Sequence, residues 1–222
     1  MKITKNNSIL VDYTKIKAEL LKFRNKNDQL QIINRKHTID FKPLFQKLYD
    51  SFFSISGFVS YISSKEDIQN LFANQINSNI KNDFLYDLWL DDMSNLCKVF
   101  CKFMGEEKIS FWVGTKRGCK RYHVDMVPFR LLVTYDGDGT ELLPNHAANR
   151  KAFTEGKSNK EIVKDNSALQ IISNWDIAIF RGGKKGILHR TPDSALNNVS
   201  SILMRLDNKG FLESIKKVNE VA

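Results

Sequence analysis

The residues best suited to chemistry are His123 and Asp125, in RYHVDMVPFRLLVTYDGDGTELLPN over residues 121–145. In an extended chain, residues two apart point to the same side. His-Val-Asp therefore offers an imidazole nitrogen and a carboxylate oxygen to one point in space. A third donor, His189, lies in FRGGKKGILHRTP, after an apolar run that reads as a strand. Two imidazoles and one carboxylate occupy one face of an octahedron and leave three positions for water, dioxygen and substrate, which suits Fe(II). A structural zinc site usually takes four protein ligands, so this set suits it less. The plain alternative is that HVD is polar decoration at a strand end.

The other candidates read as structure. His37 in NRKHTID is expected at the surface, and His146 in LPNHAANR in a loop, with a subsidiary option of helping to bind substrate. Arg190 follows His189 directly and so points to the opposite face, where an ion pair is its expected role. Tyr122 and Tyr135 are expected to be walls. Gly137 and Gly139 read as turn glycines with positive φ; no helix follows them, so they do not form a phosphate loop. Cys97 and Cys101 sit one helical turn apart, but no second pair accompanies them, and buried small side chains are expected.

The elements that must position these groups change character near Gly105. Before it, YTKIKAELLKF has helical spacing, Asp40 can cap FKPLFQKLYDSFF, and SKEDIQNLFANQI opens on Ser64 with Asp67 in capping-box position. In KNDFLYDLWLDDMSNLCKVFCKFMG, residues Leu85, Trp89, Met93, Leu96, Phe100 and Phe103 form one helical stripe, a core face that Gly105 ends. After it, KISFWVG, VPFRLLVTY, TELL, DIAIFRGG, ILHRTP and SSILMRLD read as strands, and FLESIKKVNEV as a closing helix. The expected class is α+β: a helical region over residues 1–106 packed on a β region over 107–222, with a polar insertion or lid at 145–170.

Composition bounds the function. At 222 residues with 42% hydrophobic content, the chain can bury a real core. It contains no run of about 18 apolar residues, so no membrane partner is expected. MKITKNNSILVDYTK lacks the continuous apolar stretch of an export signal, and the three cysteines are an odd number. Free thiols in a reducing cytoplasm are the expectation. The net charge of +9 invites nucleic acid, but KRGCKR and GGKKG do not alternate with aromatics as a single-strand platform would. A solvated basic surface is the simpler account. KRGCKR does end against His123, where it can attract an anionic substrate.

The series HVD, YDGDGTELL, WDIAIF, GILHRTP and SSILMRL resembles the double-stranded β-helix, or cupin-like jelly roll, of Fe(II)- and 2-oxoglutarate-dependent dioxygenases. The block CKRYHVDMVPFRLLVTYDGDGTELLP with ILHRTP is also similar to a bacterial domain family of unknown function. The resemblance covers about residues 107 to 207 and implies His123, Asp125 and His189 as metal ligands. It also implies a basic residue early in the last strand that holds the far carboxylate of 2-oxoglutarate. Ser200 and Ser201 stand there, which leaves Arg130 and Arg205 as the co-substrate candidates. The implied activity is oxidation of a C–H bond of a small-molecule or peptide substrate. The alternatives are a non-catalytic cupin that senses or carries zinc or another divalent ion, and a basic nucleic-acid-binding module. Substrate identity, native metal and oligomeric state stay open.

Overall fold

The computed structural model describes residues 11–49, 53–197 and 201–214. In chain order the elements are α1 (Tyr13–Arg24), β1 (Leu30–Ile33), α2 (Lys42–Tyr49), β2 (Ser54–Ser60), α3 (Ser64–Phe72), α4 (Ser78–Lys81) and α5 (Phe84–Met104). Then come β3 (Lys108–Gly114), β4 (Phe129–Asp136), β5 (Glu141–Leu143), α6 (Arg150–Thr154), α7 (Asn159–Ile162) and β6 (Gln170–Ile171). The series closes with β7 (Ile177–Arg181), β8 (Leu188–Arg190), α8 (Asp193–Asn197) and β9 (Ile202–Asp207).

The long helix α5 has the ends its sequence requires. The Asp83 carboxylate accepts from the Leu85 amide, and Gly105 takes φ 72° while its N–H reaches the Cys101 carbonyl. Left-handed φ favours glycine because a Cβ would crowd the following carbonyl. Trp89, Met93, Leu96, Phe100 and Phe103 are fully buried on this helix. Asp40 accepts from the Lys42 amide at the start of α2, as expected. In α3 the cap moves one residue earlier than expected, to Ser63, whose hydroxyl donates to Asp67.

Two sheets follow from the strands, and every pairing in them is antiparallel. The larger has the order β1-β7-β4-β9-β3-β2 and the smaller β6-β5-β8. Residues 1–106 are therefore not helical alone: β1 and β2 supply both edges of the larger sheet, pairing with β7 and β3. The helical expectation failed because LQII and SISGFVS are short and only partly buried, so they carry little strand periodicity. In the larger sheet, alternation separates two faces. Leu131, Val133, Ile179 and Leu206 join the helices in the main core, each burial contributing about 1.5–3 kcal/mol. Leu132, Ala178 and Phe180 face the other way, against Leu142 and Ile172.

The insertion has its own small core, in which Ala147, Ala152 and Ile162 pack on Tyr122, Leu143 and Leu188. Residues 210–214 are helical, and the rest of the expected closing helix lies outside the described residues. Gly137 does take positive φ, at 80°. Gly139 does not: a Cβ there would meet the Ile172 carbonyl oxygen at 1.8 Å, so close approach is its reason for being glycine. His37 is half-buried rather than superficial, with its ring 4.4 Å from that of Trp175. No helix among the described residues is long and apolar enough to cross a membrane.

Candidate metal centre

HVD is not part of a regular strand. It is an extended segment held by one bridge, in which the His123 and His189 backbones exchange N–H···O bonds of 3.1 Å in both directions. That direct pairing sets the two imidazoles side by side, with ring centroids 4.4 Å apart and the ring planes tilted by 53°. Asp125 is fixed from the β7 end. The Gly183 amide donates to the Asp125 carbonyl at 2.7 Å, and the Gly182 amide donates to the Pro128 carbonyl at 3.2 Å. A Cβ on Gly182 would sit 1.9 Å from the Val127 carbonyl oxygen and 2.7 Å from that of Asp125, so only glycine allows this approach.

One donor atom from each of His123, Asp125 and His189 lies within 4.8 Å of the others. In both histidines Nδ1 faces the carbonyl oxygen two residues earlier, Arg121 or Ile187, at 3.1 Å. Such a contact is a hydrogen bond only if Nδ1 carries the proton, which leaves the Nε2 lone pair for a metal. The two oxygens of Asp125 have different surroundings. Oδ1 accepts from Arg130 Nη1. Oδ2 lies 3.5 Å from His189 Nε2 and is buried with no hydrogen-bond partner. A buried, unpaired carboxylate oxygen is costly unless a cation completes it. The donor set thus fits a divalent ion with oxygen and imidazole preferences.

Burial pushes His189 down to about 4, so it is neutral near pH 7 and ready to ligate. Burial also lowers His123, but contacts with Cys119, the Arg121 carbonyl and Asp125 outweigh it and leave a net rise. Cys119 lies in the loop after β3 at φ 55°, and its hydrogen bond to His123 pulls the thiol below its ordinary value.

Arg130 shares the cavity with the histidines because the bend at Val127 and Pro128 resets the alternation. Its Nε donates to Asp207 at 2.7 Å, so Arg130 bridges two carboxylates. Arg205 approaches Asp207 at 3.1 Å through Nε, off the axis of a hydrogen bond, and lies over the rings of Trp112 and Phe211. Asp207 is buried, and burial raises its carboxyl against the pull of the two arginines. Arg190 forms the expected ion pair, at 2.6 Å to Glu141. Cys97 and Cys101 are buried, and burial pushes Cys101 up to about 12. His146 is exposed on the insertion and outside the triad.

Beside the triad lies a recess of about 60 Å³ lined by Arg117, Leu132, Thr140, Thr191, Leu203 and Arg205 together with both histidines. It shares Cys119, His123, Arg130 and Arg205 with an open cleft of about 590 Å³ that also includes Met126 and Phe211. A cleft of about 690 Å³ beside Tyr61 and Lys102 is larger, but it contains no member of the triad. Sequence reasoning missed Arg117, Cys119, Asp207 and Gly182 as parts of this site. The available signals were the position of KRGCKR against His123 and the double glycine ending β7.

Two solved structures illustrate what the chain is similar to. An Fe(II)/α-ketoglutarate-dependent dioxygenase, TqaL, shares 12% identity at a TM-score of 0.45, covering 90% of this chain and 91% of its own. A bsmA homolog from Methylobium petroleophilum shares 11% identity at a TM-score of 0.29, covering 60% of this chain and 54% of its own. Both TM-scores are under 0.5, so neither likeness carries an argument here. No curated protein matches the chain. The family described as "Protein of unknown function (DUF1826)" matches residues 16–207, from the first buried residue of α1 to the last residue of β9, and the chain belongs to it.

Proposed function

We propose that this DUF1826 protein is a non-haem Fe(II)-dependent oxygenase that uses 2-oxoglutarate to oxidise a C–H bond, on a frame related to the double-stranded β-helix. The observation that carries the reading is Asp125 Oδ2, buried without a hydrogen-bond partner in a cluster where His123 and His189 each offer an imidazole nitrogen. His123, Asp125 and His189 would hold the ion. When bound, Fe(II) with 2-oxoglutarate would supply the oxidising chemistry, 2-oxoglutarate losing carbon dioxide to become succinate with one oxygen atom of dioxygen while the other goes to the substrate. The chain's own residues do the positioning. Arg130 holds one oxygen of Asp125 and leaves the other without a hydrogen-bond partner. Leu132, Leu203 and Phe180 keep the inner side apolar, which excludes water and strengthens the local electrostatics. Met126, Phe211 and Arg205 line the open cleft, so a substrate with an apolar body and an anionic group fits it. Of the two co-substrate candidates, Arg130 is committed to two carboxylates, and Arg205 is the one we assign to a ligand reaching from the cleft.

The test is succinate formation from 2-oxoglutarate by anaerobically reconstituted protein on exposure to air. Turnover in the wild type that disappears in Asp125→Ala supports the reading; turnover equal in the two contradicts it. One observation favours a second reading, a non-catalytic holder of zinc or another divalent ion: the Cys119 thiol lies against His123, outside the three-residue donor cluster, and would have to move in to become a fourth donor. In that case zinc affinity falls steeply in Cys119→Ser and no succinate forms. The basic-module reading has no observation of its own in the site.

A further inference from the structure

The two basic concentrations of the sequence, KRGCKR and GGKKG, meet at one place in the fold. The first is the loop after β3, and Arg121 at its end is two residues from His123. Asn159 of α7 pins this loop: its Nδ2 donates to the Lys120 carbonyl, and its Oδ1 accepts from the Tyr122 amide. The second is the turn between β7 and β8. The Gly186 amide donates to the Gly183 carbonyl at 2.8 Å, which makes Lys184 and Lys185 the two central residues of that turn. Both ends of the turn rest on HVD. The Gly183 amide bonds the Asp125 carbonyl, and a Cβ on Gly186 would come within 3.5 Å of Val124 Cβ.

These charges are not used by the fold. Lys116, Lys120, Arg121, Lys184 and Lys185 are exposed, and among the described residues none of them enters an ion pair. Residues 114–124 hold four lysines and arginines and no carboxylate, and residues 181–187 hold three and none. Acids nearby are engaged elsewhere, Glu161 in a capping box with Ser158 and Asp193 with Arg190. A lone exposed lysine is merely solvated, but a one-sign cluster beside a cleft raises the local potential for an anion.

The dimensions and the exposed side chains say which anion. Four residues separate Arg121 from Asp125, a span of up to about 13 Å in extended backbone, with cations at both ends. A stretch of about four extended residues covers that distance, and a small acid does not. Met126, 75% exposed in the open cleft beside Asp125, is a flexible apolar contact for a peptide side chain. A nucleic-acid strand needs exposed aromatics on which its bases stack. The large exposed aromatics among the described residues, Tyr61 and Phe84, lie before α3 and at the start of α5. Phe211 in the cleft is already engaged by the guanidiniums of Arg130 and Arg205, at 5.0 and 4.9 Å.

We propose that the rim formed by these two loops is a docking surface for an extended acidic segment of a partner protein, which it lays across HVD at the mouth of the cleft. The docking stands on the two loops alone. That the docked segment is also the substrate rests on the proposed function.

The experiment is fluorescence anisotropy with a labelled decapeptide of alternating Glu and Ala, its Gln counterpart and a single-stranded DNA decamer, with Glu-Glu dipeptide as competitor. The proteins are wild type, Lys120→Glu/Arg121→Glu, Lys184→Glu/Lys185→Glu and Lys17→Glu/Lys22→Glu. The last makes the same change of net charge at exposed positions of α1, in the helical layer. The expected result is that wild type binds the Glu peptide far more tightly than the Gln peptide, and less tightly as salt rises. Each loop variant should weaken that binding by about tenfold or more, largely through slower association, while the α1 variant stays within about twofold. Lys184→Gln/Lys185→Gln carries the comparison if a charge reversal impairs folding. An equal loss in the α1 variant shows that net charge alone acts, and it overturns the surface. So do equal binding of the Glu and Gln peptides, displacement of the decapeptide by an equal concentration of dipeptide, and tighter binding of the DNA with the same losses in the loop variants. Cobalt(II) uptake by wild type, followed by absorption, separates the two readings. Uptake without Glu-peptide binding overturns the docking surface and leaves the metal centre standing. Peptide binding that depends on the loops, without uptake, overturns the metal reading and keeps the surface.

Discussion

Asp125 does two jobs with two oxygens. One oxygen is tied to Arg130 and the other is left for an ion. Arg130 is itself locked to Asp207 on β9, so the carboxylate's orientation is set by a bridge across the sheet and not by its own rotamer preference. Arg130 is therefore a positioning residue in our account. Arg130→Met should weaken metal affinity by about 10- to 100-fold with all three ligands still present, as loss of an outer-sphere partner does elsewhere. Arg205→Met, which leaves the Arg130 bridge intact, should change it by less than threefold. Competition titration with a chromophoric chelator reads both. Equal losses in the two variants would show that the arginines act only as bulk charge. At this scale the ligand types and their spacing were legible, because HVD and LHR place chemistry within a few residues. Arg117 and Asp207 were not, because each gains its meaning from a partner on another element.

The elements show why a short sequence signal becomes a rigid site. The β7 end carries Arg181-Gly182-Gly183, and the lack of a side chain at Gly182 lets the Asp125–Pro128 backbone lie against it. Gly182→Ala puts a Cβ into two carbonyl oxygens, so the HVD segment must move away. Metal affinity should fall by at least about tenfold while the fold survives at a cost of about 1–3 kcal/mol, the range of a local overpacking strain. Unchanged metal affinity in a folded Gly182→Ala protein would separate Gly182 from the site. The stripe on α5 was legible in its period, but Asp92 within it was not. Asp92 is fully buried and accepts from Tyr13 at 2.6 Å, Arg35 at 2.6 Å and Tyr135 at 2.8 Å. It ties α5 to α1, to the chain after β1 and to β4. Asp92→Ala leaves Arg35 buried without its carboxylate and should destabilise the protein by about 3–5 kcal/mol in urea unfolding. A change under 1 kcal/mol would mean that the network is dispensable.

For the whole molecule, the helical layer and the site occupy opposite faces of one sheet. Alternation along β4 gives Leu131, Val133 and Tyr135 to the main core and Arg130 and Leu132 to the recess. The strands of the C-terminal half could be read from apolar runs and turn glycines. The sheet order could not, because β1 and β2 depend on partners distant in sequence. The charge of +9 has a local expression at the site, where Arg117, Arg130, Arg190 and Arg205 surround one recess; Asp125 and Asp207 are close counterions of Arg130, Asp207 also of Arg205, and Glu141 of Arg190. The central claim is that His123, Asp125 and His189 hold one divalent ion. Metal analysis of protein purified without air and reloaded with Fe(II) tests it most directly, comparing wild type with the His123→Ala/His189→Ala double variant. The account predicts about one iron per chain in the wild type and close to none in a double variant that remains folded. Equal iron in the two proteins, or none in the wild type, would contradict it.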